Sequence, residues 1–184
     1  MANGWEQLGA KLQVGKGKGG KLVASTDAAL DEFERSFNIK LPLNYRDFVK
    51  LFGPGELAGV VRIYAPVGRK QPGDLTTFVK GFREGADFLG EVFSNPKLIL
   101  RSIPFANTIF GDMIVWDPQK PTDPKAHEYE VCLLAKETSK VSNLAPDFET
   151  FIQDRCLSPK LGKYLDYPDY KPENTFVPFA SLKP

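Results

Sequence analysis

His127 and Cys132 are the side chains from which a catalytic site would have to be built. His127 is the only histidine of the chain, so serine- or cysteine-based catalysis would need it as the base. It lies in a proline-rich stretch typical of a loop, whereas Cys132 lies in an apolar run typical of a strand. The sequence lacks the close pairs of ligands that a metal site needs, since its histidine and cysteines are limited to His127, Cys132 and Cys156. We interpret them as structural and predict no catalytic residue and no metal site.

Residues 15–21 alternate glycine with lysine and invite comparison with a phosphate-binding loop. Such a loop leads straight into a helix and ends in Lys followed by Ser or Thr, whereas Lys21 is followed by apolar residues. We interpret the run as a flexible basic loop, or as the tip of a hairpin if 11–14 and 21–24 pair as strands. No nucleotide or other cofactor is predicted.

The carboxylates do not form an obvious catalytic pair. Asp31, Glu32 and Glu34 have the spacing of the polar face of a helix, and Glu128 and Glu130 alternate along a predicted strand. A glycosidase would need two carboxyl groups that converge in a cleft. We interpret the first group as a solvated helix face and place the second on one face of a strand with no cleft indicated, and we predict that the protein is not an enzyme.

Composition narrows the class of protein further. The chain has 184 residues and a formal net charge of +1, which argues against a nucleic-acid partner. Two cysteines are too few for a disulfide framework, so we expect a reduced, cytoplasmic protein. The sequence shows neither a signal peptide nor an apolar stretch of about 18 residues, so no membrane span is predicted.

The best-defined predicted element is a helix over 41–52, which is ended by Gly53. Thr26 or Asp27 caps an earlier helix, and Asp74 caps a later one that extends to about Phe93. The predicted strands are 60–64, 98–105, 113–116 and 129–135, with loops over 117–126 and 136–142 and a last helix over 146–157.

Helices that frame an antiparallel β-meander predict an α+β fold. We expect three parts of the chain: a flexible leader over 1–25, one domain over 26–157, and an irregular tail over 158–184 that packs on the domain.

Three groups of motifs follow one another along the chain: Leu41-Pro42-x-x-Tyr45-x-x-Phe48 with Phe52-Gly53-Pro54-Gly55, Phe105-Ala106-Asn107 with Gly111-Asp112-x-x-x-Trp116-Asp117, and Phe148-Glu149-x-Phe151-Ile152. Together they resemble the SMI1/KNR4 family of the SUKH superfamily. Each motif is loose, but their order and spacing together are fairly specific. The resemblance implies an SMI1/KNR4-like fold over 26–157.

The resemblance also implies a function. Many bacterial members of this family are immunity proteins against polymorphic toxins, and others are regulatory interaction proteins. We therefore expect a protein-binding module whose partner is a toxin domain. The alternatives are a regulatory scaffold for several host proteins and an enzyme of unknown type that uses His127 or a carboxylate cleft. The sequence does not specify an oligomeric state.

The predicted binding surface surrounds the central hairpin and the end of the second helix. Glu56, Tyr64, Asp112 and Trp116 are its candidate residues, because loops on a rigid frame carry binding residues and Tyr and Trp supply large contact areas. Two alternatives stay open. Asp112 either bonds within its own turn or pairs with a partner, and Trp116 either fills the core or contacts a partner.

Overall fold

The computed structural model describes residues 4–15, 21–68 and 71–179. The helices are α1 (Gly4–Lys11), α2 (Asp27–Phe37), α3 (Leu43–Phe52), α4 (Leu75–Glu84), α5 (Ala86–Val92), α6 (Pro96–Arg101) and α7 (Phe148–Thr150), which continues as a π-helical turn over Phe151–Cys156. A 3-10 helix covers Pro159–Lys163. The strands are β1 (Gln13–Val14), β2 (Gly55–Leu57), β3 (Val61–Ile63), β4 (Ile103–Thr108), β5 (Met113–Asp123), β6 (Glu128–Ala135), β7 (Lys140–Ala145) and β8 (Thr175–Pro178).

One sheet organises the molecule. Within the described residues its strand order is β1-β8-β2-β3-β4-β5-β6-β7. From β2 to β7 each strand pairs antiparallel with the next along the chain, while β1 and β8 pair in parallel. The predicted α+β class, with an antiparallel meander framed by helices, is confirmed.

The start of α2 and the end of α3 lie where the sequence predicts them, while α3 begins two residues later than predicted, at Leu43. The side chain of Thr26 caps α2 by accepting a hydrogen bond from the amide of Ala29 at 3.2 Å. Gly53 ends α3 with φ of +67°, and a Cβ there would collide with the Val23 carbonyl. A left-handed backbone conformation and this close approach both require glycine.

Helices cover both faces of the sheet. Successive residues of a strand point to opposite faces, and Val115 and Trp116 divide in this way. Trp116 belongs to the main core, which joins α1, α2, α3 and α7 to the sheet. Val115 belongs to a smaller core with Cys132 and Leu134 beneath α4, α5 and α6. The rigid frame is therefore a sheet packed on two sides.

The predicted strand over 98–105 is wrong in its first half. Pro96–Arg101 form α6, and β4 begins only at Ile103. The Asn95 side chain caps this helix by accepting from the Leu98 amide at 3.1 Å, and Pro96 occupies its first turn. The predicted loops also differ, because β5 runs on to Asp123 and Lys140–Ala145 form β7.

The described parts of the two terminal segments carry more structure than the sequence predicts. In the leader, α1 docks through Trp5, which is 4% exposed and lies edge-on to Phe48 at 5.4 Å between ring centroids. In the tail, β8 inserts between β1 and β2 and buries Phe176. The Gly–Lys segment 16–20, predicted to be flexible, lies outside the described residues.

Candidate protein-binding surface

The β4–β5 connection forms an apolar tip. Ile109, Phe110 and Gly111 make a three-residue loop, which we call the hairpin tip. Thr108 donates its amide to the carbonyl of Asp112 at 2.9 Å, and Gly111 donates to the carbonyl of Thr108 at 3.0 Å. Gly111 has φ of +94°, the left-handed residue that such loops require. The side chains of Ile109 and Phe110 are 43% and 45% exposed, an unusual placement for large apolar groups.

Asp112 holds the hairpin tip in place. One carboxylate oxygen accepts a hydrogen bond from the Thr108 hydroxyl at 2.7 Å, and the other accepts from the Lys136 amide at 2.9 Å. Asp112 is buried. Of the two interpretations of this residue, the turn-shaping one therefore fits its contacts.

Trp116 lies in the core and not at the surface. It is 1% exposed, its ring stacks on Phe105 at 4.1 Å, and it lies edge-on to Tyr45 at 4.8 Å. The sequence-based candidate therefore cannot touch a partner of the folded protein. It is the anchor on which the base of the β4–β5 hairpin rests.

Glu56 and Tyr64 lie on the sheet face opposite Trp116. Glu56 pairs in register with Arg62, whose Nε donates to the Glu56 carboxylate at 3.1 Å. Because successive residues of a strand point to opposite faces, Tyr64 lies on the same face as Arg62. The Tyr64 ring stacks on the Phe78 ring, with ring centroids 3.8 Å apart. Both residues are partly exposed.

The structure brings Tyr64 and the hairpin tip together. Tyr64 and Gly111 of the tip line one groove of about 670 Å³, and Phe78 and Met113 line it beside them. The candidate Tyr64 and the central hairpin thus share a surface, and Tyr64 is the one of the four candidates that lines this groove.

A second groove, of about 800 Å³, opens on the other side of the tip. We call it the tip groove. Its walls are the β2–β3 turn at 58–60, the hairpin tip, the β6–β7 turn at 137–138 and the tail segment 164–173. Tyr167 of the tail meets Phe110 of the tip edge-on, with ring centroids 5.9 Å apart.

The tail wall is firmly seated. A Cβ at Gly162 would collide with the Tyr167 carbonyl, so the chain passes itself at van der Waals contact. The Tyr170 hydroxyl donates to the carbonyl of Cys156 at 2.8 Å. Sequence reasoning missed this wall, because residues 158–179 show neither a helical nor a strand period. Their glycine and tyrosines were the only signal.

The side chains considered as catalytic candidates are Cys132, Glu128 and His127. Burial raises the pKa of the Cys132 thiol to about 12, so it does not form a thiolate near neutral pH. Glu128 is buried and accepts hydrogen bonds from the amides of Asn44 and Phe148. Burial raises the pKa of Glu128 as well, and these amides oppose that shift. His127 lies in the β5–β6 turn with φ of +53°.

Two negative findings apply to the part of the chain that the structure describes. No group of three or more His, Cys, Asp or Glu side chains is arranged to hold a metal ion. None of the helices there has the length and apolar character needed to cross a membrane.

A mostly antiparallel sheet packed by helices on both faces defines an α+β domain, and this domain carries an exposed apolar hairpin tip. The model of the SMI1 / KNR4 family (SUKH-1) matches residues 24–154. The chain therefore belongs to the SMI1/KNR4 family. Among curated proteins, none matches the chain significantly. The matched region includes the hairpin tip and ends before the tail that closes the tip groove.

Proposed function

We propose that this chain is a protein-binding module of the immunity type, which neutralises a toxin domain by direct, stoichiometric binding and performs no catalysis. The observation that carries the proposal is the exposed apolar hairpin tip on a rigid two-sided frame. Membership of a family in which immunity proteins are common supports the choice of a toxin as the partner.

The physical argument begins with exposure. Three large apolar side chains at the tip groove remain exposed to water. They are Ile109, Phe110 and Tyr167. Clustered exposed apolar groups of this kind mark interaction sites. Aromatic residues are also enriched among the few positions that supply most of the binding energy of an interface.

Rigidity strengthens the case. The tip is fixed by Asp112, and the hairpin below it is anchored by Trp116. A surface that is already in its binding conformation loses little conformational entropy when a partner docks. Glu56 and Tyr64 extend this surface along the neighbouring sheet face. An interface of about 800 Å² per partner is needed for specific binding, and the tip with its two flanking grooves offers a centre for it.

The test begins with the neighbouring genes: where one of them encodes a toxin domain, the two proteins are co-expressed and complex formation is measured by calorimetry. Wild-type protein should protect cells and bind in a one-to-one ratio. Phe110→Glu should weaken binding at least tenfold, since it places a charge in the centre of a desolvated contact. The matched control is Leu43→Glu, because Leu43 is 47% exposed and its amide donates to the carbonyl of Ala126 in the β5–β6 turn, at the opposite end of β5 from the tip.

Two results would count against the proposal. If the wild type fails to protect cells, the immunity role has to be dropped. If Phe110→Glu binds as tightly as Leu43→Glu, the hairpin tip is not the contact surface. A pull-down that returns several host proteins and no toxin would favour the regulatory scaffold instead.

A further inference from the structure

We infer that the tip groove receives a cationic segment of the partner protein, one in which basic residues flank an aromatic or large aliphatic side chain. This inference rests on the proposed function, because it describes the chemistry of the partner segment that the function requires. It adds to that function by stating which part of the groove would bind the apolar side chain of the partner and which part would bind its basic residues.

The apolar part of the groove calls for an apolar side chain. Its mouth carries Ile109, Phe110 and Tyr167, and deeper in it lie Val60 and Tyr170, which are buried. The Phe110 ring of the hairpin tip and the Tyr167 ring of the tail contact each other edge-on, and together with Ile109 they form an apolar surface on which a ring or a branched aliphatic chain can pack. A partner side chain placed there removes its own apolar surface and that of the tip from water.

The rim supplies the charge. Glu137, Asp166 and Glu173 are exposed, and none of them forms an ion pair within the described residues. Lys171 is the one cationic residue among the described groove-lining positions. The whole chain carries a formal net charge of +1, so this acidic rim is a local feature. Complementary charge on the partner would orient it as it approaches.

Glu173 is partly fixed in position. Its carboxylate accepts a hydrogen bond from the Thr175 hydroxyl at 3.3 Å, and it lies over Gly59, whose added Cβ would meet it at 3.4 Å. A carboxylate held above the β2–β3 turn can pair with an incoming Arg or Lys at lower entropic cost than a free side chain.

The geometry favours a protein segment over a small molecule or nucleic acid. Small-molecule sites orient their ligands with a few converging buried polar groups. In the described residues the buried polar side-chain atoms without a partner are those of Ser25, Asn107 and Trp116, and none of these residues lines the groove. Nucleic acid is disfavoured because an acidic rim repels phosphates.

A labelled synthetic peptide tests the inference directly. The probe has arginines on both sides of a single tryptophan, in a glycine–serine background, and binding is followed by fluorescence anisotropy at low ionic strength. Peptides with glutamate in place of arginine, or glycine in place of tryptophan, test the two halves of the chemistry. Wild-type protein should bind the first peptide and should bind each of the other two at least tenfold more weakly.

The matching protein variants separate local charge from net charge. The triple variant Glu137→Gln, Asp166→Asn, Glu173→Gln should weaken binding of the arginine–tryptophan peptide about tenfold, as three modest ion pairs are lost. Asn is suitable at 166 because it tolerates the left-handed backbone there, where φ is +51°. The control Glu84→Gln, Asp87→Asn, Glu91→Gln removes the same charge from exposed positions of α4 and α5 and should leave binding unchanged.

Circular dichroism confirms that each variant is folded before its affinity is compared. An equal loss in both triple variants would mean that only net charge matters, and this would overturn the inference. No loss in the rim variant, or no binding of the peptide by the wild type, would overturn it as well. Cells left unprotected by the wild-type protein would instead overturn the proposed function, so the two failures can be told apart.

Discussion

Replacing Trp5 by alanine measures how firmly α1 belongs to the domain. Trp5 is buried against two rings, with centroid distances of 5.4 Å to Phe48 and 5.9 Å to Phe148. Truncation of a buried Trp costs about 3–5 kcal/mol of unfolding free energy. We expect a value near the lower end, about 3 kcal/mol, because α1 has eight residues and water can fill the space when it undocks.

The assay is urea unfolding followed by circular dichroism, which does not depend on the removed indole. A loss of about 3 kcal/mol is a large part of the ~5–15 kcal/mol that stabilises a typical domain, so the midpoint should fall clearly. Gln7→Ala is the matched control, since Gln7 is exposed on the same helix and should change stability by less than about 0.5 kcal/mol. If Trp5→Ala unfolds at the wild-type midpoint, α1 is not docked and the leader is flexible, as the sequence suggested.

Three further changes test the frame and the tip. Phe52→Ala should cost about 3–5 kcal/mol in urea unfolding, because Phe52 is buried against the Phe48 ring; an unchanged midpoint would show it is exposed. Gly111→Ala should cost about 1–2 kcal/mol and weaken partner binding, because Gly111 has φ of +94°; wild-type affinity and midpoint would contradict this. Arg101→Ala should cost about 3 kcal/mol at neutral pH, because it leaves the buried carboxylate of Asp117 without its cationic partner. The Arg101 side chain itself is 26% exposed.

The Asp117 pair also predicts a pH dependence, measured as the stability difference between wild type and Asp117→Asn. Burial pushes the pKa of Asp117 up, but hydrogen bonds from Arg101 and the Gln119 amide outweigh burial and hold it below its ordinary 3.8. The ionised Asp117 carboxylate therefore stabilises the folded state fully at any pH above its ordinary pKa. This stabilisation is lost as the pH falls through the lower pKa that Asp117 has in the folded state. A difference that stays constant down to the acid transition would contradict this.

The sequence predicts those elements that carry their own start and stop signals. The helix over 43–52 is bounded by a proline and a glycine, and the β4–β5 turn contains the glycine that its backbone conformation demands. The run Leu98-Ile99-Leu100 fits a buried helix and a strand equally well by periodicity alone. Asn95 and Pro96, a cap and a first-turn proline, were the signals that identify it as helix.

The sequence locates the β4–β5 hairpin but not the exposure of its side chains. Trp116 lies in the core and Asp112 is a buried turn residue, because residue type does not tell on which side of a strand a group lies. Ile109 and Phe110 are exposed only because a three-residue loop turns them outward. The tail wall depends on pairing between β8 and β2, which are far apart in the chain, and local patterns carry no information about such pairing.

The place of β8 in the sheet has a consequence for synthesis of the chain. β2 leaves the ribosome long before β8, so one edge of β2 is unpaired for on the order of ten seconds at ~5–20 residues per second. An unpaired edge is a template for association with other chains. A polypeptide interrupted before residue 164 would keep that edge open and lack one wall of the tip groove. Such a fragment is prone to aggregate, and the proposed function implies that it binds a partner poorly. The tip groove is completed only late in translation.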